Sequence, residues 1–254
     1  MQLVLQVRGP LLPIEDLVEA IPIVLDRLRA VPFDSDGTAV LEGTRADRLQ
    51  LIDGRAGRLG AAYLIRDAAA VGPHNEQMAN LAVVLAADDR ERTAVEAHAT
   101  GDGAPVAVSL ELTNPRHPAR IHAVASMQLV ELPKILGPRF EMTADLDLVE
   151  VHANPEPQLH FTVDSRWFGG RGTVHVRPLP DPGYEVTIDV RPRGLARLMG
   201  PFWPLIRQRM VDAAEQSYGD FLNESAEELR DCTGPYEIAD HVWDGIVRDL
   251  TTDG

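Results

Sequence analysis

Residues 165–229 read SRWFGGRGTVHVRPLPDPGYEVTIDVRPRGLARLMGPFWPLIRQRMVDAAEQSYGDFLNESAEEL, and this stretch contains two successive patterns. In its first half, apolar and polar residues alternate at Val174 and Val176 and again at Val186 and Ile188. That is the period of a half-buried strand. In its second half, the apolar residues recur every three or four positions, which is the period of an amphipathic helix. The stretch therefore predicts antiparallel strands followed by one long helix.

The helical pattern spans residues 194–231. Its predicted apolar stripe consists of Leu195, Leu198, Met199, Phe202, Ile206, Met210, Ala213, Ser217 and Phe221. Pro201 and Pro204 are expected to confine the regular helix to the residues after them and to leave a bent lead-in before it. Gly234-Pro235 is expected to end the helix, and ADHVWDGIVRDL (239–250) predicts a shorter final helix.

The residues before this stretch extend the predicted sheet. Alternating apolar positions continue the strand pattern at Phe140, Met142, Ala144, Leu146, Leu148, Leu159, Phe161 and Val163. A change of phase at Leu148-Val149 predicts a β-bulge. Because one face of such a sheet is apolar and the other polar, the long helix is expected to cover the apolar face.

The N-terminal half is less regular. QLVLQV (2–7) predicts a strand, and residues 13–32 predict a helix that Pro22 should kink or split. Residues 38–112 read as short strands and turns. Residues 80–100 fit either a hairpin turning at Asp88–Arg90 or a helix, and the hairpin is favoured.

We predict three parts of the chain. Residues 1–113 form an N-terminal α+β part, which is either separate or continuous with the later sheet. Residues 114–232 form the sheet with the long helix, and residues 233–254 form a tail with a short helix. The predicted boundary lies in TNPRHPAR, where two prolines interrupt regular structure.

Composition limits the classes of partner. The chain has 254 residues, a net charge of −15 and one cysteine, Cys232. The negative charge argues against nucleic acid and against anionic membrane surfaces. No apolar run approaches the roughly 20 residues of a membrane-spanning helix. The absence of a leader pattern and of cysteine pairs predicts a cytoplasmic protein.

The order of these elements resembles that of the START-like (SRPBCC) superfamily, which includes polyketide cyclases and Bet v 1-like proteins. The likeness covers residues 138–231 and is carried by the penultimate strand that opens with Trp167 and glycines, the last strand, and the Arg-Gly-Leu start of the terminal helix. It implies an α+β helix-grip fold, in which a curved antiparallel sheet wraps around a long C-terminal helix. Here that fold would have an enlarged or additional N-terminal α+β part. It also implies an apolar cavity between sheet and helix.

The expected function is non-covalent binding or carriage of a lipid, sterol or polyketide in that cavity, without a cofactor. Its predicted lining is Phe140, Met142, Leu146, Phe161, Val163, Trp167, Val174, Val176, Ile188, Met199, Phe202, Trp203, Ile206 and Met210. Each of these residues fits either an ordinary core or the wall of a cavity. Large rings, adaptable methionines and the room left by Gly169, Gly170 and Gly172 point toward a cavity.

Two alternatives remain open from the sequence. One is a polyketide aromatase/cyclase-type enzyme of the same fold, with Tyr184, Arg166 and Arg171 as polar candidates. The other is a non-enzymatic interaction protein that uses its acidic surface.

Other residues that could take part in catalysis or ligand binding are expected to have structural or surface roles. Lys134 could form a Schiff base but is expected to be a surface lysine. FGGRG lacks the spacing of a nucleotide loop. His160, His175, Asp164, Glu185 and Asp189 are expected on a solvated polar face, and no metal site is predicted.

Overall fold

The computed structural model describes residues 1–9, 12–69, 78–100, 106–128, 139–149, 158–165 and 168–251. These residues form an α+β fold with a large antiparallel sheet and C-terminal helices, as predicted. The first strand of the sheet is followed by a helix, then by eleven further strands, and the last two helices end the chain.

Twelve strands of the described chain form one sheet in the order β1-β12-β11-β10-β9-β8-β7-β6-β5-β4-β3-β2. All neighbouring pairs are antiparallel. The strands are β1 (Gln2–Arg8), β2 (Thr38–Leu41), β3 (Thr44–Asp53), β4 (Ala62–Ala69), β5 (Met78–Asp88), β6 (Arg92–Thr100), β7 (Val106–Thr113), β8 (Arg120–Gln128), β9 (Arg139–Asp147), β10 (Gln158–Ser165), β11 (Phe168–Pro178) and β12 (Gly183–Gly194).

The helices are α1 (Ile14–Ala30), a 3-10 helix (Leu195–Phe202), α2 (Trp203–Glu228) and α3 (Pro235–Thr251). The bent lead-in and the regular helix predicted on either side of Pro204 correspond to the 3-10 helix and α2. Pro22 does not split α1, which is one helix of 17 residues.

Residues 80–100 form the hairpin of β5 and β6, so the helical alternative for them is wrong. The strands of the N-terminal part belong to the same sheet as the later strands. Across the proposed boundary, β7 and β8 pair in continuous register from Val106↔Met127 to Thr113↔Arg120.

The predicted β-bulge at Leu148-Val149 is absent. β9 pairs with β8 in regular register until Asp147 ends the strand, and Leu148 and Val149 then take helical backbone conformations. Leu148 continues the inward-facing alternation of β9, and it is buried, at 2% exposure, against Val18 of α1. The change of phase in the sequence therefore marks the end of a strand.

The register divides the sheet into two chemically different faces. On one face, directly paired residues are apolar from strand to strand, as in Leu5↔Val186↔Val176. The other face carries polar residues at the alternate positions, such as Asp189↔Thr173↔His160. We call these the inner face and the outer face.

The three α-helices lie against the inner face at different strands. α2 packs on β1 and β12 through Trp203, Val211 and Ala214. α1 packs on β7, β8 and β9, and α3 packs on β2, β3 and β4 through Trp243, Val247 and Leu250. Residues of α1 and α3 also pack against each other around Ile238.

Both edge strands have contacts on their free side. Next to β2, Val40 donates a backbone hydrogen bond to the Pro32 carbonyl, and Asp34 donates one to the Thr38 carbonyl. Next to β1, the backbone N–H of Gln6 donates to Glu215 of α2 at 2.7 Å. Exposed edges can pair with other chains, and these contacts occupy part of each edge.

Candidate ligand-binding face

Part of the inner face is not covered by the described residues. Four large apolar side chains of β7, β8 and β9 are exposed there: Val108 (39%), Leu110 (43%), Met127 (41%) and Met142 (49%). We call these four residues the open patch.

The open patch is one continuous surface because its members are linked by register. Val108 pairs with Ala125, and Ala125 pairs with Met142. Leu110 lies two residues beyond Val108 on the same face. Small alanines between the larger side chains leave the surface recessed at Ala125.

Helix α1 covers the other half of the same three strands. Leu112, Ile121 and Leu146 pack there with Val18 and Leu25 of α1. Along β7, the exposed fraction falls from 43% at Leu110 to 8% at Leu112. The inner face of β7–β9 therefore has a covered half and an open half, and the boundary lies within two residues.

The register places eight of the predicted lining residues on the inner face: Phe140, Met142, Leu146, Phe161, Val163, Val174, Val176 and Ile188. Their environments differ. Met142 belongs to the open patch, whereas Leu146 packs beneath α1 and Ile188 packs with Trp203 beneath α2.

Trp203 is the ninth predicted lining residue with a described position, and the other five lie outside the described residues or have side chains outside them. Trp167 lies outside the described residues, and so do the side chains of Met199, Phe202, Ile206 and Met210.

The apolar stripe of the long helix was predicted to be buried, and this prediction is wrong for the three stripe residues whose side chains are described. Leu195 and Leu198 are 41% and 66% exposed, and Ser217 is also exposed. The helix contacts β1 through Val211 and Ala214, each one position beyond a predicted stripe residue. One position is a rotation of about 100° around a helix, so the side of α2 that faces β1 differs from the predicted one.

Gly172 has a different role from the one predicted. A Cβ atom built on Gly172 would overlap the ring of Phe161, its partner on β10, and would lie 2.5 Å from the Asp189 carbonyl oxygen. The space above this glycine is therefore filled by the Phe161 ring. Gly172 supports a packed part of the inner face.

The sequence interpretation missed Val108, Leu110 and Met127 as candidate ligand contacts. The signal was present, because Val106, Val108 and Leu110 alternate with small or polar residues in β7. Only the register shows that they lie beside Met142.

Two surface depressions lie elsewhere. One, of about 590 Å³, is lined by residues of α1, β2 and α3, including Leu41 and Trp243, with Asp240 and Asp244 at its margin. The other, of about 440 Å³, lies beside Leu12 and the end of α2. Neither contains a predicted lining residue.

The outer face carries the predicted polar residues. The register places His160, His175, Asp164, Glu185 and Asp189 on it, as predicted. Among the described residues, no three His, Cys, Asp or Glu side chains converge on a position that could hold a metal ion.

A charged cluster on this face centres on Asp145. Its carboxylate pairs with the Arg120 guanidinium at 2.5 Å and with His122 Nδ1 at 2.8 Å. Partial burial by itself would raise the pKa of Asp145. The hydrogen bonds from His122 and Arg120, together with their charge attraction, outweigh it and hold the pKa of Asp145 below its ordinary value.

This lowered pKa predicts how the stability depends on pH. The Asp145 contribution is present above the ordinary aspartate pKa of about 3.9, and it is lost as the pH falls through the lower pKa of the folded protein. Asp145→Asn should therefore cost about 1 kcal/mol near pH 7, with little difference from wild type near pH 2. Urea unfolding of the wild-type protein and of Asp145→Asn between pH 2 and pH 7 measures the difference in their free energies of unfolding. A constant difference at all pH values would contradict the prediction.

Among the described residues, the two candidates for acid–base chemistry do not share a site. Arg171 lies on the outer face, opposite Thr162 and Arg191. The Tyr184 hydroxyl accepts a hydrogen bond from the Leu12 N–H at 2.9 Å. Arg166 and Lys134 lie outside the described residues.

Cys232 packs beside Ala20, Ile238 and Ala239, between α1 and α3. Burial raises the pKa of the Cys232 thiol, and the negative charges of Glu237 and Asp231 raise it further. The thiolate is the reactive form of cysteine. The environment of Cys232 therefore suppresses nucleophilic chemistry.

We expect iodoacetamide to alkylate Cys232 at pH 8 at least about fivefold more slowly in the folded protein than in urea. Mass spectrometry of time points gives both rates, with a cysteine peptide correcting for the effect of urea on the reagent. Equal corrected rates would contradict this assignment.

A comparison of the chain with protein-family models, with curated proteins and with solved structures found no match. Within the described ranges, none of the helices combines the length and the apolar character needed to cross a bilayer.

Proposed function

We propose that the protein binds a small hydrophobic ligand, of the lipid, sterol or polyketide class, against the open patch of the inner face, beside the helix layer. In this proposal the chain is START-like, and its sheet curves around the helix layer. The observation that carries the proposal is the open patch, where four large apolar side chains of adjacent strands are exposed beside the half of these strands that α1 covers.

The packing of the helices supports a curved sheet. α1 contacts β7–β9 and α3 contacts β3 and β4, yet α1 and α3 pack against each other. In a flat sheet these strand positions would be about 20 Å apart, whereas packed helix axes are about 10 Å apart. If the sheet curls toward the helices, α1 and α3 can touch each other while each still contacts its own strands. Such a sheet has a concave inner face.

Covering the open patch with a ligand would contribute favourable hydrophobic free energy to binding. Apolar surface removed from water contributes roughly 25 cal/mol per Å². A ligand that buries about 300 Å² would gain roughly 7 kcal/mol before the costs of association. The patch contains two methionines, whose flexible side chains adapt to ligands of different shape.

A charged substitution in the open patch tests the proposal. Met142→Arg should weaken the binding of a fluorescent fatty acid at least about tenfold, because ligand contact would bury the new charge. Met142 is already 49% exposed, so the variant should fold normally. Leu59→Arg is the matched control, since Leu59 is 69% exposed in the turn between β3 and β4.

Native mass spectrometry of freshly purified protein, followed by organic extraction, would identify a co-purifying ligand. An unliganded mass, together with no saturable binding across fatty acids, sterols and aromatic polyketides, would overturn the proposal. Equal affinities of Met142→Arg and Leu59→Arg for the probe would show that the ligand binds elsewhere.

A further inference from the structure

The segment 191–209 departs from the charge of the rest of the chain. It contains five arginines and no aspartate or glutamate, although the net charge of the chain is −15. The arginines are Arg191, Arg193, Arg197, Arg207 and Arg209, and all five are exposed. We call these residues the basic segment.

The basic segment also exposes apolar side chains. Its centre is the 3-10 helix, in which Leu198 is 66% exposed and Leu195 is 41% exposed. Arg197 lies between these two leucines and donates to the Pro192 carbonyl oxygen at 3.4 Å. Exposed leucines among cations are typical of elements that lie in the interface of an anionic bilayer.

Nearby carboxylates neutralise only part of the positive charge. Asp164 forms an ion pair with Arg193, and Asp189 lies two residues before Arg191 on the outer face. Among the described residues, Arg191, Arg207 and Arg209 have no carboxylate partner. Asp212 follows Arg209 by three residues on α2, so these two side chains are neighbours on the helix surface and part of this charge is also offset. Acidic residues farther away than the Debye length of about 8 Å act weakly.

The sheet register places the basic segment and the open patch at the same end of the strands. β12 ends at Gly194, which pairs with Phe168 at the start of β11. Continuing across the sheet, Ser165 of β10 pairs with Phe140, and Phe140 pairs with Met127 of the open patch. The helices α1 and α3 cover the opposite end.

We propose that the basic segment docks the protein on an anionic lipid bilayer, with Leu195 and Leu198 entering the interface and the arginines contacting lipid phosphates. Docking in this orientation turns the uncovered end of the inner face toward the membrane. The two leucines supply apolar contact and the cations supply attraction. Together they favour an anionic bilayer over a neutral one.

Docking does not depend on the proposed ligand function, and the two are measured separately. Co-sedimentation with vesicles of phosphatidylglycerol and phosphatidylcholine, in equal parts, measures docking. Titration with a fluorescent fatty acid without vesicles measures ligand binding. A protein that docks but binds no fatty acid, or the reverse, shows which of the two proposals fails.

The expected result is binding to the mixed vesicles, little binding to pure phosphatidylcholine, and loss of binding as salt rises toward about 0.5 M. Leu198→Asp and Arg197→Glu should each reduce the vesicle partition coefficient about tenfold or more. Leu59→Asp and Arg58→Glu, which alter exposed residues of the β3–β4 turn, should leave it unchanged.

Circular dichroism and urea unfolding identify any variant that is misfolded, and Leu198→Ala provides a milder second substitution. Failure of the wild-type protein to bind the mixed vesicles would overturn the proposal. Equal partition coefficients for Leu198→Asp and Leu59→Asp would also overturn it. A dimer that Leu198→Asp dissociates, without vesicle binding, would instead assign the segment to self-association.

Discussion

Gly172→Ala is expected to lower the free energy of unfolding by about 2 kcal/mol or more. The new side chain would overlap the Phe161 ring and would begin 2.5 Å from the Asp189 carbonyl oxygen. The ring could rotate away, but the oxygen belongs to the backbone of β12. The overlap with this oxygen can be removed only if β11 and β12 move apart, and that movement would weaken the hydrogen bonds between the two strands.

Gly170→Ala is the matched control for this effect. Gly170 lies on the same strand and face, and a Cβ atom there would have its nearest neighbour, the Arg191 carbonyl oxygen, at 3.4 Å. We expect this substitution to change the stability by less than about 1 kcal/mol. Urea unfolding measures both variants, and equal small effects would show that the inner face at Phe161 is loosely packed.

Ile238→Ala is expected to lower the free energy of unfolding by about 3 kcal/mol. Ile238 is 0% exposed and packs with Ala20 of α1 and with Leu229. Truncation would leave a cavity between α1 and α3, at the contact that holds the helix layer together. Because α1 covers the half of the inner face next to the open patch, the variant should also change the affinity for a hydrophobic probe.

Val242→Ala provides the comparison within the same helix, since Val242 is 37% exposed. It should cost less than about 0.5 kcal/mol. Thermal or urea unfolding followed by far-UV circular dichroism gives both values. If Ile238→Ala and Val242→Ala lower the free energy of unfolding equally, the contact between α3 and α1 does not contribute to the stability of the protein.

Local patterns predicted the strands and helices that have strong periodicity. The alternation of Val174, Val176, Val186 and Ile188 places them together on the inner face of β11 and β12, where they are half-buried. The long helix was predicted for a similar reason, but its orientation was not. Val211 and Ala214 face β1, and the neighbouring apolar residues gave the helix more than one plausible buried side.

The open patch could not be predicted from one strand alone. Val108, Met127 and Met142 come from three strands, and they become neighbours only through the register of β7, β8 and β9. Their exposure depends further on where α1 ends its contact with the sheet, at Leu112. Neither the pairing nor the extent of the helix cover is visible in the alternation of β7.

The basic segment was missed because the net charge was used for the whole chain. A value of −15 averages acidic and basic surfaces, whereas a membrane responds to the charges within about one Debye length. Leu195 and Leu198 were predicted to be buried with the long helix, and their exposure became visible only in the structure.

The pairing of the first strand with the last one sets the order in which the protein can fold during synthesis. β2 to β12 can form one hairpin after another as the chain leaves the ribosome, but Leu3 of β1 pairs with Ile188. At about 5–20 residues per second, β1 waits roughly 10–40 s for its partner. During that time its buried residues Leu3, Leu5 and Val7 have no strand to cover them. Nascent chains truncated before β12 should therefore bind chaperones through their N-terminus.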